Sequence, residues 1–209
     1  MYDLPHFKEK DPAEVIQFMH QHPFALVIAA GDEYPVSTQV PLLIEKQEEQ
    51  IVLRGHIMRQ SDHHKAFTKN NKVLCVFTGP HAYVSASWYS NPQNASTWNY
   101  MTVHAKGELQ FLNESMLLEI LEETTRKFEN DPVSPASYHH LPTDYISRLS
   151  KAIVGFEIKV QEVSHVFKLS QNRDKNDYGN IIFQLKNGDA DAMLIAAEME
   201  KRRDQLFSH

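Results

Sequence analysis

From Met101 to Phe111 apolar and polar side chains alternate without a break. Val103, Ala105, Gly107, Leu109 and Phe111 fall on one face, and His104, Lys106, Glu108 and Gln110 on the other. A period of two marks a strand with one buried face. The alternation returns at Val154, Phe156, Ile158 and Val160. Phe24 to Ala30 and Val73 to Phe77 are apolar throughout, which predicts strands buried on both faces. Val36 to Ile44 and Ile51 to Arg54 read as a hairpin around the polar linker Glu45 to Gln50, and Gly79-Pro80 reads as a break in the chain.

Helices are marked by their ends. Asp11 is a natural N-cap, Pro12 fits the first helical position and Glu14 stands three residues after the cap. Val15, Phe18 and Met19 give that helix one apolar side, and Pro23 stops it. Ser61 caps a short helix to Thr68. Asn113 caps a longer one with a stripe of Leu117, Ile120, Leu121, Thr124 and Phe128. Asn130 to Pro142 holds three prolines and reads as a loop. The last helix is expected to turn Ala190, Met193, Leu194 and Ala197 inward, with Asp189 and Asp191 near its start and Lys201, Arg202 and Arg203 near its end, as the helix dipole favours.

These strands follow one another in hairpin-like order, and parallel βαβ repetition is absent. The expected fold is mainly β with peripheral helices (α+β), an antiparallel barrel or sheet in a single domain over 1–209. With 21 basic and 27 acidic residues the net charge is −6, which weighs against a protein that coats DNA. Cys75 is the single cysteine, so no intrachain disulfide forms, which suits a reducing compartment. The longest clean apolar run is far short of the roughly 18 residues a membrane helix needs. The start Met1-Tyr2-Asp3-Leu4-Pro5 has no basic and apolar leader. The expectation is a soluble cytoplasmic protein without membrane association. Seven glycines and no G-x-G-x-x-G or Walker pattern exclude the common nucleotide loops.

Of the twelve histidines, His63 and His64 are adjacent and on a helix point about 100° apart, His139 and His140 lie in a loop, and His56, His81 and His104 have no Cys or carboxylate at ligand spacing beside them, so they read as polar or hydrogen-bonding residues and no metal site is assigned. Cys75 lies in an apolar strand, where a thiol is inert. Two segments carry chemistry. Gly55 to Lys65 runs from a strand end into a helix start. Backbone N–H groups, the helix dipole, Arg59, Lys65 and the Ser61 hydroxyl there suit a phosphate monoester, while the same pattern also describes a solvated, capped helix. Asp62 opposes an anion at that spot. Tyr83 to Tyr89 and Thr97 to Tyr100 gather both tryptophans, three tyrosines and several hydroxyls. They read either as an aromatic core or interface cluster, or as a wall for a planar ligand.

The same segments resemble a known family. Gly79-Pro80-His81-Ala82-Tyr83-Val84-Ser85-Ala86-Ser87-Trp88-Tyr89 is similar to its GPHAYISPSWY segment. Thr97-Trp98-Asn99-Tyr100 with Val103-His104 and Gly107 is similar to TWNYxxVHxxG. Ile153 to Ile158 and Lys168 to Arg173 are similar to IVGFEI and KLSQNR. These are segments of the PaiB-type FMN-binding negative transcriptional regulators. The resemblance implies an antiparallel FMN-binding split β-barrel related to pyridoxamine-phosphate-oxidase-like flavoproteins, a homodimer with FMN at the subunit interface. It implies that Thr38, Gln39, Val40 and Pro41 line the flavin ring and that His56 and Ile57 continue that lining through backbone contacts. Arg59, Ser61 and Lys65 would then address the phosphate, and Trp88, Trp98 and the Lys168 to Asn172 segment, with Gln171, would close the site. The family has Asn-Pro in place of Ser61-Asp62, Trp in place of His64, and Pro in place of Ala86 and Ser96.

The implied function is FMN binding with a role in transcription regulation. The sequence offers no helix-turn-helix with a basic second helix, so direct DNA binding is not expected. A flavin-dependent oxidoreductase and a binder of haem or another planar ligand are the alternatives on the same barrel. His104, Tyr83 and Tyr100 are the nearest candidates for acid or base work in the first of these.

Overall fold

The computed structural model describes residues 1–48, 50–131 and 133–208. Glu49 of the expected linker and Pro132 of the expected loop lie outside the described residues. Seven strands occur among the described residues: β1 (Phe24–Ala29), β2 (Val36–Pro41), β3 (Leu43–Gln47), β4 (Gln50–Met58), β5 (Lys72–Val84), β6 (Thr97–Phe111) and β7 (Ile153–Lys168). The helices are α1 (Pro12–Gln21), α2 (Asp62–Lys69), α3 (Glu114–Glu129), α4 (Thr143–Ser150), α5 (Lys175–Leu185) and α6 (Ala190–Phe207). The chain groups into two compact units. One comprises Met1–Phe18, Thr78–Val103 and His165–His209; the other comprises Met19–Phe77 and His104–Ser164.

The second unit contains part or all of every strand. The sheet order is β2-β1-β5-β6-β7-β4-β3, with β1–β2, β1–β5, β3–β4 and β4–β7 paired antiparallel. Its two edge strands, β2 and β3, are consecutive in sequence and joined by Leu42 alone. One residue spans two Cα–Cα steps of about 3.8 Å each. The opposite edges must therefore meet, and the sheet must curl into a barrel that is split where β2 passes into β3. The fold is thus an antiparallel split β-barrel with peripheral helices.

Leu42 also explains why one expected hairpin is two separate pairings. Pro41 has no N–H to give a ladder, and the Leu42 N–H donates to Pro23 O at 2.8 Å. The chain therefore changes sheet edge at that point. β2 pairs back onto β1, with Phe24 opposite Pro41, and β3 pairs with β4, with Ile44 opposite Leu53. Leu42, Leu53, Phe77, Phe156 and Ile158 are fully buried, as is Phe67 of α2. α3 buries Leu117 and Ile120 but leaves Phe128 exposed, so its stripe ends a turn early. Arg54 of β4 bridges Glu45 of β3 and Glu123 of α3, the latter at 2.5 Å.

In the first unit, α5 and α6 pack together around Tyr178, Ile181, Ile195 and Met199, and the Tyr178 hydroxyl donates to Met199 O at 2.9 Å. α5 is capped by Asp174, whose carboxylate accepts from the Asn176 and Asp177 N–H groups. α4 and α5 carry no expectation from the sequence, and α5 changes the inward face of α6. Ala192, Ile195, Ala196, Met199 and Arg202 are buried, while Met193 and Leu194 are exposed. The inward face is chosen by α5, not by the most apolar stripe. The expected break at Gly79-Pro80 is absent as well: β5 runs through both residues, because proline's fixed φ suits an extended chain.

Candidate functional site

The sequence-predicted residues fall into two groups, one in each unit. In the barrel unit, β2 is a terminal strand. One edge pairs with β1, with Val27 opposite Thr38 and Leu26 opposite Gln39. Its other edge leaves backbone donors and acceptors outside the ladder. Val40 is buried, Thr38 and Pro41 are half-buried and Gln39 is exposed. On β4, Ile57 is buried toward the barrel interior. His56 points the opposite way, into a groove beneath α3 and α4, so only its backbone is available to the barrel side.

β4 leads to α2 through a tight corner. The Arg59 N–H donates to Ala152 O at 2.9 Å. Gln60 takes the left-handed backbone (φ 64°), and its N–H donates to His64 Nδ1 at 3.1 Å. Ser61 Oγ accepts the His64 N–H at 3.3 Å and donates to Met58 O at 2.8 Å. Asp62 Oδ1 accepts the His63 N–H at 2.8 Å and lies 3.2 Å from His63 Nδ1. Two amides of this helix start are therefore already engaged by the chain's own side chains. The positive side chains are not: Arg59 and Lys65 are exposed, and neither makes an ion pair among the described residues. An anion there would be gripped by guanidinium and ammonium groups more than by an amide nest. His64 stands edge-on to Phe111 at 4.9 Å. Burial, with help from Arg59 and His63, lowers its pKa, so it stays neutral near pH 7.

In the other unit, Trp88 and Trp98 line one cleft of about 750 Å³ together with His81 and Tyr83 of β5 and the turn from α5 into α6. Trp98 is largely exposed. Its ring lies 5.7 Å from Tyr83, edge-on, and 5.9 Å from His81. His81 Nδ1 is 3.4 Å from Asp191 of α6. The sequence marks Asp191 only as a charge at the start of the last helix and gives it no place in the site. No spacing signal links residues this far apart, and the α5 to α6 turn was itself missed. Lys168 Nζ donates to Thr97 Oγ1 at 2.5 Å and to Trp98 O at 2.6 Å, and burial, then Arg173, lowers its pKa. Gln171 folds into its own turn: its amide donates to Phe167 O at 2.5 Å and accepts the Leu169 N–H at 2.7 Å. That turn holds Ser170 at φ 61°, with its hydroxyl on Asn99 Oδ1 at 3.0 Å. Arg173 stacks 4.0 Å over Tyr89. Tyr100 has its pKa raised mainly by burial, and His104, which belongs to the barrel unit, is half-buried with its pKa lowered mainly by burial. No described group of three or more His, Cys, Asp or Glu is placed to hold a metal ion. No described helix is long and apolar enough to cross a membrane.

Residues 1–162 match a family model described as "Putative FMN-binding domain". The chain is 35% identical over 187 residues to protease synthase and sporulation protein PAI 2 of Bacillus subtilis, covering 90% of each chain. The chain belongs to the PaiB-type FMN-binding-domain family. The fold of this chain is similar to that of more distant solved structures. The flavocytochrome Anf3 of Azotobacter vinelandii has a TM-score of 0.57 at 15% identity, over 86% of this chain and 78% of its own. The FAD and heme binding protein of Mycobacterium smegmatis has a TM-score of 0.54 at 14% identity, over 77% and 72%. At such identities the likeness is one of fold alone.

Proposed function

We propose that this family member binds FMN as a homodimer and acts in the cytoplasm as a regulatory flavoprotein of the PaiB type. The observation that carries the reading is the pair Arg59 and Lys65, exposed at the start of α2 and free of carboxylate partners among the described residues. A phosphate monoester brings about two negative charges at neutral pH, which two unpaired cations match. FAD, whose phosphates are diesters, presents less charge at one point. In this reading the Ser61 hydroxyl turns its proton from Met58 O to the phosphate, and the free edge of β2 from Thr38 to Pro41, continued by the backbone of His56 and Ile57, meets the polar rim of the flavin ring. Trp88, Trp98, Lys168 and Gln171 enter the reading only through the dimer. The flavin, when bound, supplies the capacity to accept and return electrons. The protein's part is to hold, orient and shield it.

Direct DNA binding is left out of the reading. Of the basic run on α6, Lys201 pairs with Glu14 at 2.5 Å and Arg202 with Glu9 at 3.2 Å and with Glu198, so little free positive charge remains there.

Parallel titrations with FMN, riboflavin and FAD, followed by flavin fluorescence, test the proposal. FMN should bind at least about tenfold more tightly than riboflavin, and Arg59→Ala or Lys65→Ala should remove most of that difference. Equal affinity for FMN and riboflavin would overturn the phosphate grip. A Soret band on haem titration, with no flavin bound, would move the reading to the haem alternative. Bleaching of bound flavin by NADPH under anaerobic conditions would add an oxidoreductase role.

A further inference from the structure

The outer face of β4 carries a feature that the flavin reading does not use. His56, Met58 and Ile153 form the floor of a groove roofed by α3, α4 and the 3-10 turn Tyr138–His140 between them. Its volume is about 450 Å³, within the range of small-molecule sites. Leu121, Leu141, Ile146 and Leu149 supply apolar walls, and no Lys, Arg, Asp or Glu lines it. The nearest charge on β4, Arg54, is committed to Glu45 and Glu123. A charged ligand would therefore lose hydration without meeting an opposite charge in the lining itself.

One polar group in the floor is left over. The His56 imidazole is half-buried and makes no hydrogen bond or ion pair among the described residues. A neutral imidazole offers one donor and one acceptor, and a half-buried polar group of that kind gains from a partner that water meets only in part. Burial lowers the pKa of His56, which keeps it in that neutral form at pH 7. Thr125 has already given its proton to Leu121 O at 2.8 Å, so it adds only an acceptor.

We propose that this groove is a binding site for a neutral, largely apolar small molecule carrying one hydroxyl or carbonyl group, with that group on the His56 imidazole and its hydrocarbon body between α3 and α4. The volume, the absence of lining Lys, Arg, Asp or Glu, and the unpartnered imidazole in the floor together select this ligand class; the Tyr138 and Tyr145 hydroxyls in the walls admit a second polar atom without calling for charge. The site does not depend on the flavin reading, because the His56 side chain stands on the outer face of β4 while its backbone N–H and C=O lie in the plane of the sheet.

Borneol is a suitable probe: it is neutral, alicyclic and not planar, so it does not mimic a flavin. Titration into the full-length protein, with and without saturating FMN, should perturb the methyl NMR signals of Met58, Leu121, Ile146 and Leu149 and few others, with a Kd on the order of 0.1 mM. Leu149→Trp, which fills the groove from a tolerant exposed position, should weaken binding at least about tenfold; Ala152→Phe serves the same end if Leu149→Trp fails to fold. His56→Phe, which keeps the shape, should weaken it by about fivefold, the value of one hydrogen bond. Perturbations scattered over the molecule, or an affinity indifferent to both kinds of variant, would overturn the proposal. So would conversion of a dimer to a monomer by Leu149→Trp without any borneol effect, since the groove would then be an interface between copies of the chain.

Discussion

At the scale of the residue, the start of α2 holds a contradiction. Arg59 and Lys65 present free positive charge, while Asp62, at the first position of the helix, places a carboxylate among them. Asp62 gains from the helix dipole and from its bond to the His63 N–H, so its presence has a local reason. For an anionic ligand it is a repulsion of the exposed, screened kind, small at physiological salt and larger below it. Asp62→Asn should therefore raise FMN affinity about two- to fivefold at low ionic strength, an advantage that shrinks toward about 0.5 M salt, and should leave riboflavin affinity unchanged. Titrations at two salt concentrations check this, and a salt-independent gain would exclude a charge effect. Arg59, Ser61 and Lys65 could be singled out in the sequence because a cap and its flanking charges are local. The direction of the His56 side chain could not, since strand alternation gives two faces without saying which one a helix will cover.

At the scale of the element, legibility followed the range of the forces involved. β6 was evident because burial on one face imposes a period of two, and α2 and α3 because Ser61 and Asn113 cap them with bonds to His64 N–H and Met116 N–H. The switch from β2 to β3 at Leu42 was not, because it depends on Pro23 accepting a distant N–H. The inner face of α6 was not, because α5 decides it. Two glycines show the same division between local and nonlocal causes. A methyl group on Gly107 of β6 would overlap the Lys159 carbonyl oxygen and lie 2.9 Å from Ile158 Cγ2, so the backbones of β6 and β7 would have to part. A methyl group on Gly179, inside α5, would meet only Arg203 Nη2 at 3.5 Å. Gly107→Ala should cost about 1–3 kcal/mol, as overpacking does, whereas Gly179→Ala should stabilise by about 0.5–1 kcal/mol through helix propensity. Urea unfolding with unchanged m-values distinguishes them; equal effects would mean that the β6–β7 approach is not as tight as the structure has it.

At the scale of the whole molecule, what the sequence withholds is grouping. Residues 1–18, 78–103 and 165–209 assemble into one unit although they are scattered along the chain, and no local pattern announces that. The titrating histidines follow the grouping. His20, His56, His64 and His104 belong to the barrel unit and His165 to the other, and burial is the leading cause of a lowered pKa in all five. A group with a depressed folded-state pKa takes up its proton more readily in the unfolded chain. Its contribution to stability is present above the ordinary histidine value, 6.5, and is lost as the pH falls through the depressed value. Stability should consequently fall between pH 7.5 and pH 5.5, before most carboxylates titrate. Four of the five groups lie in the barrel unit, so amide hydrogen exchange at pH 5.5 should show its protection falling first and furthest. Urea midpoints that do not move across this interval, or protection lost equally in both units, would mean that these histidines are protonated as readily in the folded protein as in the unfolded chain.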